Sequence, residues 1–211
     1  VEPIDPVRAI TNRSSGKQGF ALAQAALDFG AEVTLISAPT SLPTPLGANF
    51  IKVYTAQEML TAVLQTVAQA DALIMAAAVT DFQVETPYSN KLKREKGAPK
   101  IKFIPTPDIL AAVSHMKVEQ GSPKVTVGFA AETQDLIENA RHKLEAKNLD
   151  FIVANDITAA DAGFAVDTNR VTLLDASGEA RSLPLMSKEE VAYEVMERVV
   201  ELLKMNGRGK E

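Results

Sequence analysis

Ala72-Leu73-Ile74-Met75-Ala76-Ala77 is an unbroken apolar run that closes on Ala78-Val79-Thr80-Asp81-Phe82. Its length suits a strand. The lack of polar alternation predicts burial on both faces, as in a parallel sheet covered by helices. Strand and helix patterns alternate on either side of it. Upstream, Lys17 to Phe29 reads as a helix with Gly30 at its C-cap position. Val33-Thr34-Leu35-Ile36 and Phe50 to Tyr54 read as strands, separated by a Pro-rich loop from Pro39 to Gly47. Thr55-Ala56-Gln57-Glu58 is a capping box that opens a second helix, to Ala68.

Downstream, Asp81 to Lys100 is polar and basic, and its length marks it as functional or mobile. Ile101 to Ile104 reads as a short strand. Thr106 and Pro107 are placed as N-cap and N1 of a third helix, to Met116. Val125 to Phe129 is a strand, Gln134 to Lys147 a helix, and Phe151 to Ala154 another strand. Val171 to Asp175 and Ala180 to Leu185 flank Ala176-Ser177-Gly178-Glu179 as a β-hairpin. Ser187-Lys188-Glu189-Glu190 caps the last helix, to Met205. The alternation implies an α/β fold, a Rossmann-like doubly wound parallel sheet with a C-terminal antiparallel hairpin. It is read as a single domain over 1–211, with a mobile basic flap at 81–100 and the hairpin at 170–186.

Bulk composition excludes several functions. The chain has 211 residues, 46% hydrophobic and 23% charged, with net charge −5. A negative balance argues against broad electrostatic attachment to nucleic acid or anionic membrane. There is no cysteine, hence no disulfide, thiol nucleophile or thiolate metal site. Apolar runs are too short to span a bilayer, and the start lacks a signal-peptide layout, so the expected location is cytoplasmic. One feature departs from the fold class. Val1 to Asn12 holds two prolines, two acids and an arginine, but no apolar strand. A doubly wound sheet opens on a strand feeding its phosphate-binding turn. The expectation is a missing first strand, with about ten further residues before Val1.

Three segments carry candidate chemistry. Ser14-Ser15-Gly16-Lys17 precedes a helix, where unpaired N–H groups and the dipole favour an anion. An ordinary Ser N-cap with a surface Lys explains it equally well. It is not a P-loop, because Gln18 follows Lys17, and Gly16 and Gly19 supply only half of G-x-G-x-x-G. Asn12 can donate to a carbonyl and accept from an amine, or simply form a turn. Met75, Ala76 and Ala77 let a flat ligand approach the backbone, or else pack a helix closely. Asp81 stands at the strand end where open α/β sheets bind ligands. Lys91, Lys93, Arg94 and Lys96 form a basic loop, either merely solvated or able to bring a cation to phosphate. Lys143 and Lys147 share one helix face. Asp108, Glu132, Asp150 and Asp156 lie near element ends, where they could help hold magnesium, although no spacing singles them out. His115 and His142 show no metal-ligand spacing.

These segments resemble the phosphopantothenoylcysteine synthetase family, the phosphopantothenate–cysteine ligases. The similarity runs through Asp5-Pro6-Val7-Arg8, Asn12-x-Ser14-Ser15-Gly16-Lys17-x-Gly19, Ala76 to Phe82, Lys91 to Arg94, Thr106-Pro107-Asp108-Ile109, Val127 to Thr133 and Ala154-Asn155-Asp156. It covers essentially the whole chain and looks like the bacterial CTP-dependent form. That resemblance implies ligation of 4′-phosphopantothenate with cysteine through an acyl-cytidylate, with CTP as co-substrate and Mg2+. It implies a homodimer, with the hairpin near Val171 to Leu185 as contact, and common fusion to a flavin-dependent decarboxylase. It places Met75, Ala76, Ala77, Asp81, Pro107, Asp108, Ile109, Leu110, Phe129, Lys143 and Lys147 at the nucleotide, and Asn12 and Lys91 on the intermediate. The family's opening strand and Gly-rich turn are absent, and Arg94 replaces a lysine. Two other functions remain open: an NAD(P)-binding reductase with an atypical fingerprint, and a non-catalytic nucleotide-binding module.

Overall fold

The computed structural model describes residues 1–93, 97–132, 135–156 and 166–208. Arg94 and Lys96 of the basic cluster, the helix start at Gln134, and the side chains of Glu132 and Asp156 lie outside the described residues. In chain order the elements are β1 (Glu2–Pro3), β2 (Ala9–Ile10), α1 (Lys17–Asp28), β3 (Thr34–Ser37), β4 (Asn49–Lys52), α2 (Ala56–Val67) and β5 (Ala72–Met75). There follow β6 (Phe82–Val84), β7 (Phe103–Pro105), α3 (Ile109–Gln120), β8 (Val125–Glu132), α4 (Leu136–Ala146) and β9 (Phe151–Asp156). The chain continues through β10 (Thr168–Asn169), β11 (Val171–Asp175), β12 (Ala180–Ser182), β13 (Met186–Ser187) and α5 (Lys188–Arg208).

The main sheet has five strands in the order β12-β11-β9-β8-β5. β5, β8 and β9 are parallel, while β11 runs antiparallel to both β9 and β12. The sheet is therefore mixed but dominated by its parallel centre. The hairpin of β11 and β12 extends this sheet rather than hanging from it. Period-2 alternation assigns the faces. Phe151 and Val153 join Val125, Val127, Val171 and Leu173 beneath α1 and α5. Ile152 and Ala154 join Ala130 and Leu174 beneath α4. Helices thus cover both faces, as the doubly wound reading requires.

β5 corrects one expectation. Its residues are only partly buried. Ala72 and Ile74 pack toward α1 and α5, and Leu73 and Met75 toward α2 and α3, so both faces are covered. But β5 is the outermost strand of the five among the described residues. β3 and β4 form a separate parallel pair over the same α2–α3 cluster, through Ile36 and Ile51.

Local chemistry explains the helix boundaries, with two corrections. The capping box of α5 forms in full, and at α2 Thr55 caps as read while Glu58 reaches back to Tyr54 N–H at 2.7 Å. Glu58 N–H donates to Thr55 Oγ1 at 3.1 Å, and Glu190 N–H to Ser187 Oγ at 3.1 Å with Ser187 N–H returning to Glu190 Oε2 at 2.7 Å. The N-cap of α1, however, is Gly16 and not a serine. Gly16 sits at φ 76°, a left-handed conformation that favours glycine, and a Cβ there would lie 2.9 Å from Thr40 Cγ2. The N-cap of α3 is Asp108, whose side chain accepts from Ala111 N–H at 3.0 Å. Thr106, two residues earlier, bonds outside the helix. Among the described residues, no strand of the five-stranded sheet precedes α1. Glu2 and Pro3 pair with Ile10 and Ala9 in a small antiparallel hairpin.

Candidate functional site

The C-terminal ends of β5, β8 and β9 share one sheet edge, because the three strands are parallel. Ligands of open α/β sheets bind at that edge. Hydrogen bonds draw the sequence motifs together there. Asn12 Nδ2 donates to Val79 O at 3.1 Å and to Ala78 O at 3.4 Å. The amide is therefore committed to pinning the turn after β5, leaving its Oδ1 as the acceptor end. Thr106 Oγ1 donates to Thr80 O, and Thr106 N–H to Asp81 O at 3.0 Å. This ties the Thr106-Pro107-Asp108 segment to the same turn.

Lys147, at the C-cap of α4, forms an ion pair with Asp108. Burial pulls the Asp108 carboxyl up, but the Lys147 hydrogen bond, the Ala111 N–H and the Lys147 charge carry it below the usual carboxylate range. Lys147 thus reaches the segment Pro107 to Leu110 through Asp108. Lys143 lies one turn earlier, in the last turn of α4. Phe129 is half-buried and packs into the cluster under α1 and α5.

Described residues of the basic loop bond to other parts of the chain. β6 pairs with β7, and Glu85 N–H donates to Lys102 O at 3.0 Å. Tyr88 N–H donates to Ile4 O at 2.8 Å. Leu92 N–H donates to Asp5 Oδ2 at 3.1 Å, and Arg8 Nη2 to Leu92 O at 2.7 Å. Lys91 and Lys93 flank that residue and are exposed. The polar composition hid the bonds of Tyr88 and Leu92, because their partners lie in the first eight residues.

At the start of α1, Ser14 Oγ accepts from Gly16 N–H at 3.5 Å and Ser15 Oγ from Lys17 N–H at 3.4 Å. Lys17 is ion-paired with Asp167, whose carboxyl the Lys17 hydrogen bond and charge hold below its ordinary range. Lys188, buried at the start of α5, donates to Val166 O. Burial, and then the charge of Lys17, lower its ammonium pKa.

A partly buried amide chain starts beside Lys188 and was missed as a site feature from sequence. Gln18 Nε2 donates to Lys188 O at 3.1 Å, Asn169 Nδ2 to Gln18 Oε1 at 2.9 Å, and Asn155 Nδ2 to Asn169 Oδ1 at 3.4 Å. A backbone carbonyl only accepts, so it fixes the polarity of every link. Asn155 Oδ1 is left as the acceptor end, buried and without a partner among the described residues. The only hint in the sequence was an Asn closing an apolar strand.

Residues 1–203 match the family model of the DNA/pantothenate metabolism flavoprotein C-terminal domain. The chain belongs to this family. It is 48% identical over 207 residues to the Coenzyme A biosynthesis bifunctional protein CoaBC of Bacillus subtilis, covering 98% of this chain and 50% of that protein. The chain thus spans about half the length of the curated relatives it matches. The solved C-terminal domain of a CoaBC superposes with TM-score 0.80 and 40% identity, over 96% of this chain and 90% of that one. A Cab2 mutant in complex with phosphopantothenate-cysteine shares the fold, with TM-score 0.71 and 17% identity over 98% of this chain and 85% of that one.

In this family member the metal expectation finds no protein cage. Among the described residues no three His, Asp or Glu side chains converge to hold an ion. Asp108 is taken by Lys147. Asp150 is taken by Lys117, at 2.5 Å, and by Thr126 N–H, at 2.6 Å. The described side chains do not fit a resident magnesium. No described helix is long and apolar enough to cross a membrane.

Proposed function

We propose that this chain catalyses the phosphopantothenate–cysteine ligase step of coenzyme A biosynthesis, with CTP as the activating nucleotide. One observation carries the reading. Asn12, the turn Ala78 to Asp81, Thr106 to Asp108, and Lys147 are far apart in sequence yet linked at one end of the parallel strands. The name borne by the 48%-identical relative supports the pathway. The complex named for the fold neighbour supports the substrate class.

The cytosine lies against Met75, Ala76 and Ala77, where backbone groups read its edge, with Asp81 beside it. Pro107, Asp108, Ile109, Leu110 and Phe129 line the nucleotide, and Lys143 and Lys147 meet its phosphates. The N-terminus of α1, with Ser14, Ser15, Gly16 and Lys17, receives the phosphate of 4′-phosphopantothenate. Lys17 exchanges Asp167 for that anion. Magnesium arrives on the phosphates of CTP, as part of the substrate.

A carboxylate oxygen of phosphopantothenate attacks the α-phosphorus of CTP, and pyrophosphate leaves. The acyl-cytidylate is then attacked at its carbonyl carbon by the amine of cysteine. CMP departs with the former carboxylate oxygen, and the amine loses a proton as the amide forms. Asn12 steadies the turn beneath the acyl group, and Lys91 offsets charge on the intermediate. Positioning and charge stabilisation supply the acceleration. The active form is a homodimer joined through the β11–β12 hairpin, and in its full-length relatives the domain works beside a flavin-dependent decarboxylase.

The test incubates the protein with CTP and phosphopantothenate, first without and then with cysteine. The expected result is pyrophosphate in the first case, and CMP with the amide in the second. No nucleotide consumption in either case, or oxidation of NAD(P)H instead, overturns the reading.

A further inference from the structure

The Asp5 side chain is fully buried, at 0% exposure, in a turn otherwise open to solvent. A buried carboxylate is costly unless its oxygens are satisfied. Oδ1 accepts from Val7 N–H at 2.8 Å and Arg8 N–H at 2.9 Å, which is all that a local turn requires. Oδ2 does something else. It accepts from Leu92 N–H, and the Arg8 guanidinium stands beside it, with Nε at 3.7 Å. That same guanidinium donates to Leu92 O. Asp5 and Arg8 therefore grip both backbone polar groups of one residue, 87 positions away.

We propose that Asp5 is a positioning residue for Lys91, acting through the Leu92 peptide. The inference rests on the ligase reading above. The gripped N–H belongs to the peptide that joins Lys91 to Leu92, so the clamp fixes how the Lys91 backbone enters the site. The loop sequence carries Lys91, Lys93, Arg94 and Lys96, whose like charges oppose any one placement. A buried carboxylate acting on the backbone resists that repulsion without neutralising the Lys91 ammonium. The same hairpin carries Asn12 just beyond β2, so one element sets both the turn after β5 and the cation. Misplacement of a reacting group by 1 Å costs about a hundredfold in rate.

Asp5→Asn is the discriminating variant. Its carbonyl oxygen still accepts from Val7 and Arg8, but its amide turns a donor against the Leu92 N–H. Cysteine-dependent release of CMP is expected to fall about tenfold to a hundredfold, and pyrophosphate release without cysteine less than about threefold. Amide exchange at Leu92 is expected to quicken. Arg8→Lys removes the fork that reaches Leu92 O, and is expected to show the same split more weakly if Asp5→Asn folds poorly. The double variant Asp5→Asn with Lys91→Gln is expected to be no slower in CMP release than Lys91→Gln alone. Equal loss of both half-reactions, in Asp5→Asn or in Arg8→Lys, or additive losses in the double variant, overturns the proposal. Absence of pyrophosphate release in the unaltered protein instead overturns the ligase reading.

Discussion

Replacing Gly16 with alanine tests how the start of α1 is built. Two costs are separable. Gly16 holds φ 76°, and a left-handed conformation costs an L-residue about 1–2 kcal/mol. Alanine recovers about 0.4–1 kcal/mol of that by narrowing the unfolded ensemble. The added Cβ would also meet Thr40 Cγ2 at 2.9 Å, well inside ordinary carbon contact, and overpacking of this kind costs about 1–3 kcal/mol. The net loss expected is about 2–3 kcal/mol, or roughly 5–10 °C in Tm for a chain of this length. Urea melts of the single and double variants read the two parts. Thr40→Ser removes the methyl but keeps the hydroxyl that accepts from Leu42 N–H at 3.1 Å. In that background Gly16→Ala should cost only the backbone part, about 1 kcal/mol. The KM for phosphopantothenate should rise in both, because the N–H groups of the first turn are re-aimed. A single variant within about 0.5 kcal/mol of the parent, or no recovery with Thr40→Ser, refutes the reasoning.

Lys91→Gln should keep pyrophosphate release while amide formation falls strongly, and an equal fall in both would assign Lys91 to the first step. CTP should exceed ATP in kcat/KM, because a site that reads a base edge leaves buried groups unpaired with the wrong base. Equal efficiency would contradict the placement of cytosine at Met75 to Ala77. Asp175 should contribute to acid lability. Burial pulls its carboxyl up, but the Ser177 hydroxyl and N–H, the Glu179 N–H and Arg198 hold it below the usual range. A folded pKa below the unfolded value gives stability that is present above about pH 4 and lost as pH falls further. Unfolding free energy measured from pH 7 to 3 should show an acid decline that Asp175→Asn makes shallower, and an unchanged slope would count against this role.

The legible parts of the fold were those fixed within a few residues. The caps at Thr55 and Ser187 and the hairpin about Ala176 to Glu179 need only local spacing, and they form as read. The parallel strands were legible as apolar runs, but not their rank. Ala72 to Met75 looks as buried as Phe151 to Ala154, and only the strand order makes one an outer strand. The N-cap of α3 was misplaced because Thr106 and Asp108 both have side chains that can cap, and the cap of α1 is a glycine rather than a serine. A left-handed Gly16 and the reach of Asp108 to Ala111 decided them. The site was legible as separate motifs. Its assembly was not, because Asn12 to Val79, Asp5 to Leu92 and Lys147 to Asp108 are long-range bonds with no sequence period. The amide chain from Gln18 through Asn169 to Asn155 was hidden for the same reason.

The central claim is that these bonds assemble a site where a carboxylate is activated on the α-phosphorus of CTP. Phosphopantothenate labelled with 18O in its carboxylate tests this most directly. After one turnover with CTP and cysteine, mass spectrometry should find one 18O in CMP and none in pyrophosphate. Label in inorganic phosphate or pyrophosphate, with CMP unlabelled, would show activation at another phosphorus and contradict the account.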